Sequence, residues 1–455
     1  MSNEYNRLVD CFTQLCDIKM SGFATSLDFC DHPLLKRRLK TRLVYFASLE
    51  YLTKSCAVDK EYTEARLSQY RALLIGDNAP LPLTPDAFGA AIKTITGDFL
   101  KPWKRGYCSM LLCDTALILM DIAPTSKAFD IVAEYLNERK QKRLNKLCVL
   151  LFSNAEIPPL FADAERFITQ FRINHNFTSQ SVMRVMVTAN MSAGKSTLIN
   201  ALIGKPIMRT SQEACTANLC YIYNKPFEDN RLHLIASQLN LDVTHNDLLG
   251  VGRETVSSVA SFFRATGHPQ KRICLIDTPG VNSALNSNHG KVARKAIAEE
   301  KYDKLIYVIN ATLLGTDDEI KYLKYIFENV PNEKVIFVLN KLDCFKSIDD
   351  SISASINGVK ADLENIGFKN PIICPMSAYF SLLLKMKQGN ENLSEDEQDV
   401  LDLYIKKFNK PEYDLSIYYH ETLADKKPNH DELVKMSFIS GLFGLENILY
   451  GGISA

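Results

Sequence analysis

Apolar and polar residues alternate along this chain in two rhythms, and the change falls near residue 180. Before it, apolar residues recur every three or four positions: Leu8, Cys11, Phe12, Leu15 and Ile18 first, then Leu35, Leu39, Leu43, Phe46 and Leu49 within 33–56. That spacing places each set on one face of a helix. Further helices are expected over 61–75, 84–99, 107–122, 126–148 and 159–173. Breaks are expected at 76–80 and 123–126, where proline ends one helix and a hydroxyl can cap the next. Residues 1–180 are thus expected to form an all-α helical bundle.

After residue 180, short apolar runs at 182–188, 219–223, 273–276, 305–309, 335–339 and 372–375 read as strands separated by helical segments. This is the pattern of an α/β fold with a mostly parallel, doubly wound sheet, whose ligand chemistry gathers at the carboxyl ends of the strands. Residues 181–455 are expected to form that domain, with insertions near 226–270 and 385–432 that exceed simple connections. Within the first insertion, 233–241 and 254–265 read as helical. In the second, the stretches N-L-S-E-D-E-Q-D and A-D-K-K-P-N-H-D-E read as solvated loops in preference to a partner surface, and the final apolar run F-I-S-G-L-F-G-L-E-N-I-L-Y is expected to pack on the domain rather than pass to a partner helix.

The strand at 182–188 runs into A-N-M-S-A-G-K-S-T and then a helix start. This fits the phosphate-binding pattern G-x-x-x-x-G-K-[ST], in which backbone N–H groups wrap phosphates, the lysine reaches the β and γ oxygens and the hydroxyl holds Mg²⁺. Asn190, Ala193, Gly194, Lys195, Ser196 and Thr197 are the candidate contacts, with Ser196 as metal ligand. Ala189 stands where the first glycine is usual, so its backbone must carry a Cβ through the turn or need no positive φ.

Three further motifs follow strands in order. Asp277-Thr278-Pro279-Gly280 follows I-C-L-I; Asp277 can hold Mg²⁺ through its water shell, and the Gly280 N–H can bond a γ-phosphate. Asn340-Lys341-Leu342-Asp343 follows V-I-F-V-L, and the Asp343 carboxylate can accept from guanine N1–H and the N2 amino group, a pairing adenine lacks. Ser377-Ala378 follows I-I-C-P-M and brings a backbone N–H toward guanine O6. Thr216, between the loop and Asp277, can complete Mg²⁺ coordination and help hold an attacking water. The expected ligands are GTP or GDP with Mg²⁺.

Composition narrows the partners. With 455 residues, the chain has room for two to three domains. Lys plus Arg and Asp plus Glu are 53 each, so no global field marks a nucleic-acid binder, and nucleic acid is not an expected partner. The 12 cysteines show no C-x-x-C pair, and His233, His245 and His268 match no metal spacing, so no structural metal is expected. No secretory signal opens the sequence, and the apolar run 110–123 is too short for a bilayer and contains Asp114 and Asp121. The expected location is the cytoplasm. Lys36, Arg37, Arg38, Lys40 and Arg42 could lie on acidic lipid at the membrane periphery or form a solvated face over a core stripe. Trp103 in K-P-W-K-R has the same two readings, contact with membrane or nucleic acid against packing in the domain.

These residues resemble the dynamin-family large GTPases, especially the bacterial members. Residues 189–196 are similar to the family's G-x-x-S-x-G-K-S loop, with Ser192 on the family serine, and Thr216-Ala217 is similar to its switch I pair. The D-T-P-G and N-K-L-D motifs and the L-I-N-A-L-I-G after the loop also match. About sixty residues separate Thr216 from Asp277, more than a small GTPase needs between adjacent strands. The resemblance covers roughly 181–380 and the closing S-G-L-F-G-L-E-N-I-L. It implies GTP hydrolysis, homodimerisation through G domains, assembly at a membrane and a second dynamin-like or helical partner chain. It also implies K⁺ or Na⁺ at Ser192 in place of an arginine finger, with Arg209 and Arg253 as fallbacks. Lys195, Ser192, Thr216 and Gly280 are then the candidates for catalysis. Met191 stands where the eukaryotic dynamins carry a glutamine, Val281 leaves no water-orienting glutamine after the D-T-P-G motif, and the sequence ends at Ala455 where a dynamin stalk would begin. The bundle before residue 181 is expected to stand in for it. Two other readings remain at this point: a switch that docks a protein partner, and an Era- or TrmE-like GTPase acting on RNA.

Overall fold

Parallel strands covered on both faces need apolar residues at nearly every position, and the run Met183–Ala189 meets that need as β1, buried over its last five residues. The computed structural model describes residues 32–96, 106–208, 219–236, 238–250, 256–264, 271–280, 287–346, 350–419 and 431–451. The chain divides into two compact units, Met1–Ser181 with Lys225–Thr244, and Val182–Asn224 with His245–Ala455.

The first unit is helical, with α1 (Leu39–Cys56), α2 (Lys60–Leu74), α3 (Pro85–Thr96), α4 (Tyr107–Leu119), α5 (Ile122–Ala133), α6 (Glu138–Leu151) and α7 (Glu165–Thr178). Helix α4 is buried along nearly its whole length, as a helix apolar on all sides should be. Its one carboxylate, Asp114, is 1% exposed and accepts from Tyr45 OH at 2.6 Å and Tyr70 OH at 2.9 Å, with His32 Nε2 at 3.1 Å. Among the described residues no helix is long and apolar enough to cross a membrane.

Several boundaries differ from the sequence reading. Helix α4 ends at Leu119 because Met120 turns to φ 56°, and α5 starts at Ile122 with Pro124 in its first turn, where proline's missing N–H costs nothing. The expected 126–148 helix is two helices, since Asn137 caps α6 by accepting from Lys140 N at 3.0 Å. Leu35, Leu39 and Leu43 are only half-buried. Phe46 and Leu49 of the expected stripe are buried, but a 3₁₀ turn at Pro33–Lys36 resets the phase before them, so Leu34, Tyr45 and Leu52 complete the core in place of the three leucines. The stripe at Leu8–Ile18 and Trp103 lie outside the described residues.

The same unit holds a hairpin of β3 (Leu232–Ile235) and β4 (Leu239–Val243), paired antiparallel. The helix expected at 233–241 is therefore strand: L-H-L-I and L-N-L-D-V alternate with period two, and each run is too short for periodicity to exclude a helix. Helix α2 clamps the hairpin through Asp242, whose Oδ2 accepts from Arg66 Nη1 and Gln69 Nε2 at 2.5 Å each.

In the second unit, the strands β2 (Cys220–Asn224), β5 (Ser258–Ser261), β6 (Ile273–Asp277), β7 (Lys304–Asn310), β8 (Val335–Asn340) and β9 (Ile372–Pro375) join β1 in the order β5-β2-β6-β1-β7-β8-β9. All neighbours are parallel except β2 and β6. The stretch 254–265, expected as helix, contributes β5. The chain passes from β6 on one side of β1 to β7 on the other, so the carboxyl end of β1 opens onto the crevice where an α/β sheet binds its ligand.

Helix α8 (Lys195–Ile203) follows β1, and α10 (Ser287–Glu299), α11 (Asp317–Asn329), α12 (Ile352–Ile366) and α13 (Ala378–Gln388) connect or follow the later strands, with short α9 (His245–Gly250) before β5. The stretch N-L-S-E-D-E-Q-D is not a loop. Ser394 and Glu397 form a reciprocal capping box that starts α14 (Glu395–Phe408), the arrangement that satisfies two orphan N–H groups at once. The closing run packs as expected, as α15 (Glu432–Ile439) and α16 (Leu442–Tyr450). Gly441 between them holds φ 85°, and a Cβ there would collide with the Pro375 carbonyl.

One buried ion pair ties these helices together. Lys385 of α13 and Glu446 of α16, each 1% exposed, are in direct contact, and Lys385 Nζ also donates to the Leu202 carbonyl of α8 at 3.1 Å. Burial lowers the Lys385 pKa, and Glu446 offsets part of that. Removing one partner should leave an uncompensated buried charge, so Glu446→Leu is expected to destabilise this unit by about 3–5 kcal/mol in chemical denaturation, and Lys385→Met with Glu446→Leu to recover most of the loss.

Candidate functional site

The phosphate-binding pattern occupies the turn from β1 to α8. Ala189 is the last residue of β1, fully buried and paired with Val308 of β7. The left-handed conformations fall later, at Ser192 (φ 61°) and Gly194 (φ 90°). The missing first glycine therefore needs no compensation, because Ala189 remains in extended strand. Gly194 does need to be glycine: a Cβ there would strike the side-chain amide of Asn340.

Asn340, 2% exposed at the end of β8, links three motifs. Its Nδ2 donates to the Ala193 carbonyl at 3.0 Å, and its Oδ1 accepts from the Ala378 N–H at 2.9 Å. Lys341 takes a left-handed φ of 69°, which turns the chain so that Asp343 faces the same end of the sheet. Asp343 Oδ1 accepts from Ser377 Oγ at 2.6 Å, and its Oδ2 accepts from Tyr404 OH at 3.1 Å.

On the phosphate side, Lys195 Nζ contacts Asp277 Oδ1 directly. Asp277 is 2% exposed; burial pushes its carboxyl pKa up, and the Lys195 ammonium draws it back. Thr278 fastens the D-T-P-G turn to β1, with its N–H and Oγ1 donating to the Val187 carbonyl at 3.3 and 3.0 Å. Gly280 is half-buried, and Ser196 and Thr197 occupy the first turn of α8, also half-buried. Asn190 Oδ1 is buried without a hydrogen-bond partner, while Ser192 and Met191 are exposed. Thr216, Arg209, Arg253 and Val281 lie outside the described residues. The segment leading to Thr216 starts from a fixed point, since buried Asn200 exchanges two 2.7 Å hydrogen bonds with the main chain of Met208.

One ammonium, a hydroxyl at a helix start and a buried carboxylate thus meet at the carboxyl end of β1, beside an orphaned amide oxygen. This donor set fits a phosphate chain with a divalent cation. Ser196 and Asp277 are the described residues that could hold the metal. The sequence reading missed Tyr404 and also Lys407, both on α14 and both touching Asp343. The signal that could have exposed α14 is its Ser394–Glu397 capping pair ahead of Leu401 and Phe408.

Residues 185–342 match the family model for the dynamin family. Over these residues the chain is similar to the dynamin family. Dynamin-like protein A of Bacillus subtilis is 30% identical over 164 residues, 35% of this chain and 13% of its own length. An uncharacterized protein of Caldicellulosiruptor is 26% identical over 249 residues, 50% of this chain and 57% of that one. Among solved structures, an oligomerised bacterial dynamin pair is 16% identical and covers 84% of this chain and 71% of that one, with a TM-score of 0.35. The chain thus spans at most 57% of these two curated relatives.

The loop between β1 and α8 yields a direct test. Gly194→Ala combines a left-handed φ with a collision against Asn340, so it is expected to cost about 1–3 kcal/mol of stability. A thermal melt of the variant, alone and with GDP, should show a lowered midpoint and no nucleotide-induced rise.

Proposed function

We propose that this chain binds GTP and hydrolyses it to GDP and phosphate at the carboxyl end of β1. The observation that carries this reading is the Asn340 bridge, which brings the Lys195 loop, the Asp343 motif and the Ser377-Ala378 turn to one end of one sheet. Each of those three has a separate part of a guanine nucleotide to contact. Lys195 neutralises the β and γ oxygens, backbone N–H groups from Asn190 to Thr197 wrap the phosphates, and Gly280 bonds the γ-phosphate. Asp343 pairs with guanine N1–H and the N2 amino group, and the Ala378 N–H lies on the O6 side. Phosphoryl transfer needs little covalent help from a protein, so holding water and phosphate in line and neutralising charge account for most of the rate. Ser196 and Thr216, with Asp277 through water, would hold Mg²⁺, which when bound supplies positive charge beside those oxygens.

The Lys195–Asp277 contact adds a feature to this account. The lysine must leave the carboxylate, or share it, when phosphate arrives, so nucleotide binding would free Asp277 for its role in holding Mg²⁺. That exchange couples loop occupancy to the D-T-P-G segment.

The similarity of residues 185–342 to the dynamin family supports a further reading, in which GTP drives G-domain dimerisation and assembly, with peripheral membrane contact, and residues 1–180 serve as the helical region attached to a G domain at 181–455. Ser192, exposed and held at φ 61°, is the residue proposed to ligate K⁺ or Na⁺ beside the phosphates. Met191 is 47% exposed beside it, an apolar side chain suited to cover by a second copy.

Phosphate release from GTP tests the reading. Lys195→Ala is expected to lower turnover at least about 100-fold, the scale of losing one preorganised charge contact. Specific activity of the unaltered chain should rise with protein concentration and with K⁺ in place of a non-coordinating cation. Unchanged turnover in Lys195→Ala would place hydrolysis elsewhere; flat responses to concentration and K⁺ would remove the dimer.

A further inference from the structure

Helix α14 belongs to none of the nucleotide motifs, yet it reaches the loop that reads the base. Tyr404 OH donates to Asp343 Oδ2 at 3.1 Å, while Ser377 Oγ holds Oδ1 at 2.6 Å. Lys407 Nζ donates to the main-chain carbonyls of Asp343 and Phe345 at 2.5 Å each. Tyr413, one turn past the helix, donates through its OH to the same Phe345 carbonyl at 3.1 Å, and the Lys407 ammonium lies 4.6 Å from its ring centre. The Tyr404 ring is itself held edge-on by Phe380 at 5.7 Å and Tyr379 at 6.3 Å, both from the helix that opens at Ser377-Ala378.

Each oxygen of the Asp343 carboxylate is therefore tied by one protein hydroxyl, and the group cannot rotate without losing one of them. A carboxylate offers about two lone-pair sites on each oxygen; Oδ1 keeps one for a base, and the second site of Oδ2 is reached only by the weak Cys344 Sγ–H donor at 3.6 Å, which a base would displace. Burial and the nearby Asp343 charge raise the Tyr404 pKa, and the phenol stays a donor at neutral pH.

We propose that Tyr404 and Lys407 are positioning residues for base selection, Tyr404 by fixing the plane of the Asp343 carboxylate and Lys407 by fixing the main chain that carries it. The proposal rests on the guanine-nucleotide reading above. Guanine presents two donors to the carboxylate, N1–H and the exocyclic amino group, whereas hypoxanthine presents only N1–H. A carboxylate locked in plane gains from the second donor. One that is free to turn serves a single donor equally well, so Tyr404 governs the preference for guanine over hypoxanthine more than the overall affinity. Lys407, acting on the loop itself, governs how firmly either base is kept.

The test is titration calorimetry of the full chain with GDP and with IDP. Tyr404→Phe is expected to weaken GDP about tenfold and IDP no more than about twofold, the scale of a lost hydrogen bond to a charged group, with the melting temperature of the nucleotide-free chain unchanged. Lys407→Met is expected to weaken both nucleotides alike and to speed GDP release in a stopped-flow chase. A Tyr404→Phe variant with the original GDP-to-IDP ratio overturns the role of Tyr404. If that variant does not fold, Lys407→Met with the original GDP affinity and release rate overturns the role of the helix. An unaltered chain that binds neither GDP nor IDP overturns the guanine reading itself, and is distinguished by that result.

Discussion

Asn340 donates to the Ala193 carbonyl and accepts from the Ala378 N–H, so one buried amide joins the phosphate loop to the base-side turn. The closeness of that bridge excludes any side chain at Gly194. Leaving either end unpaired in the interior would cost about 1–3 kcal/mol, and the loop and the turn would lose their common reference point. The parallel register of β7 with β8 aligns Asn310 with Asn340, and β1 pairs beside β7. Through β7, Ala189 at the end of β1 aligns with Val338, two residues before Asn340, so the β1–α8 loop and the Asn340–Asp343 segment leave the same edge of the sheet.

Behind this face, the helices are fixed by a charge pair as well as by apolar packing. Lys385 and Glu446 meet in the interior, with Leu202 of the loop's own helix as a third partner. A buried pair of this kind adds little net stability, because desolvation offsets most of the attraction. It does penalise any arrangement in which α8, α13 and α16 are not together. The position of α8 relative to the Ser377-Ala378 helix is therefore specified by electrostatics, and the nucleotide-facing loops at the starts of both helices inherit that precision.

What could be read in the sequence follows from where chemistry restricts residue choice. Lys195, Asp277, Asn340 and Asp343 stand out in the sequence because Asp277 and Asn340 end strong apolar strands, and Lys195 and Asp343 lie in the segments that follow such strands. Ala189 looked like a defect, and the strand pairing that makes it harmless is invisible without β7 beside it. The β3–β4 hairpin reads as helix in the sequence because four- and five-residue runs fit either period. The first turns of α14, within N-L-S-E-D-E-Q-D, read as loop in the sequence because only Leu401 and Phe408 of the helix are buried, leaving a charged surface that looks solvated. Its contact from Tyr404 to Asp343 crosses 61 positions, and no local pattern encodes such a pairing.

The account as a whole depends on Asp343 reading a guanine base, and a swap of its pairing pattern tests this most directly. Asp343→Asn replaces an acceptor with an amide N–H₂ that can donate to the C2 carbonyl of xanthine, which guanine lacks. Measured by equilibrium titration, the unaltered chain should bind GDP well above XDP, and Asp343→Asn should reverse that order. A variant that still prefers GDP, or an unaltered chain indifferent to the base, would contradict the placement of the base at Asp343.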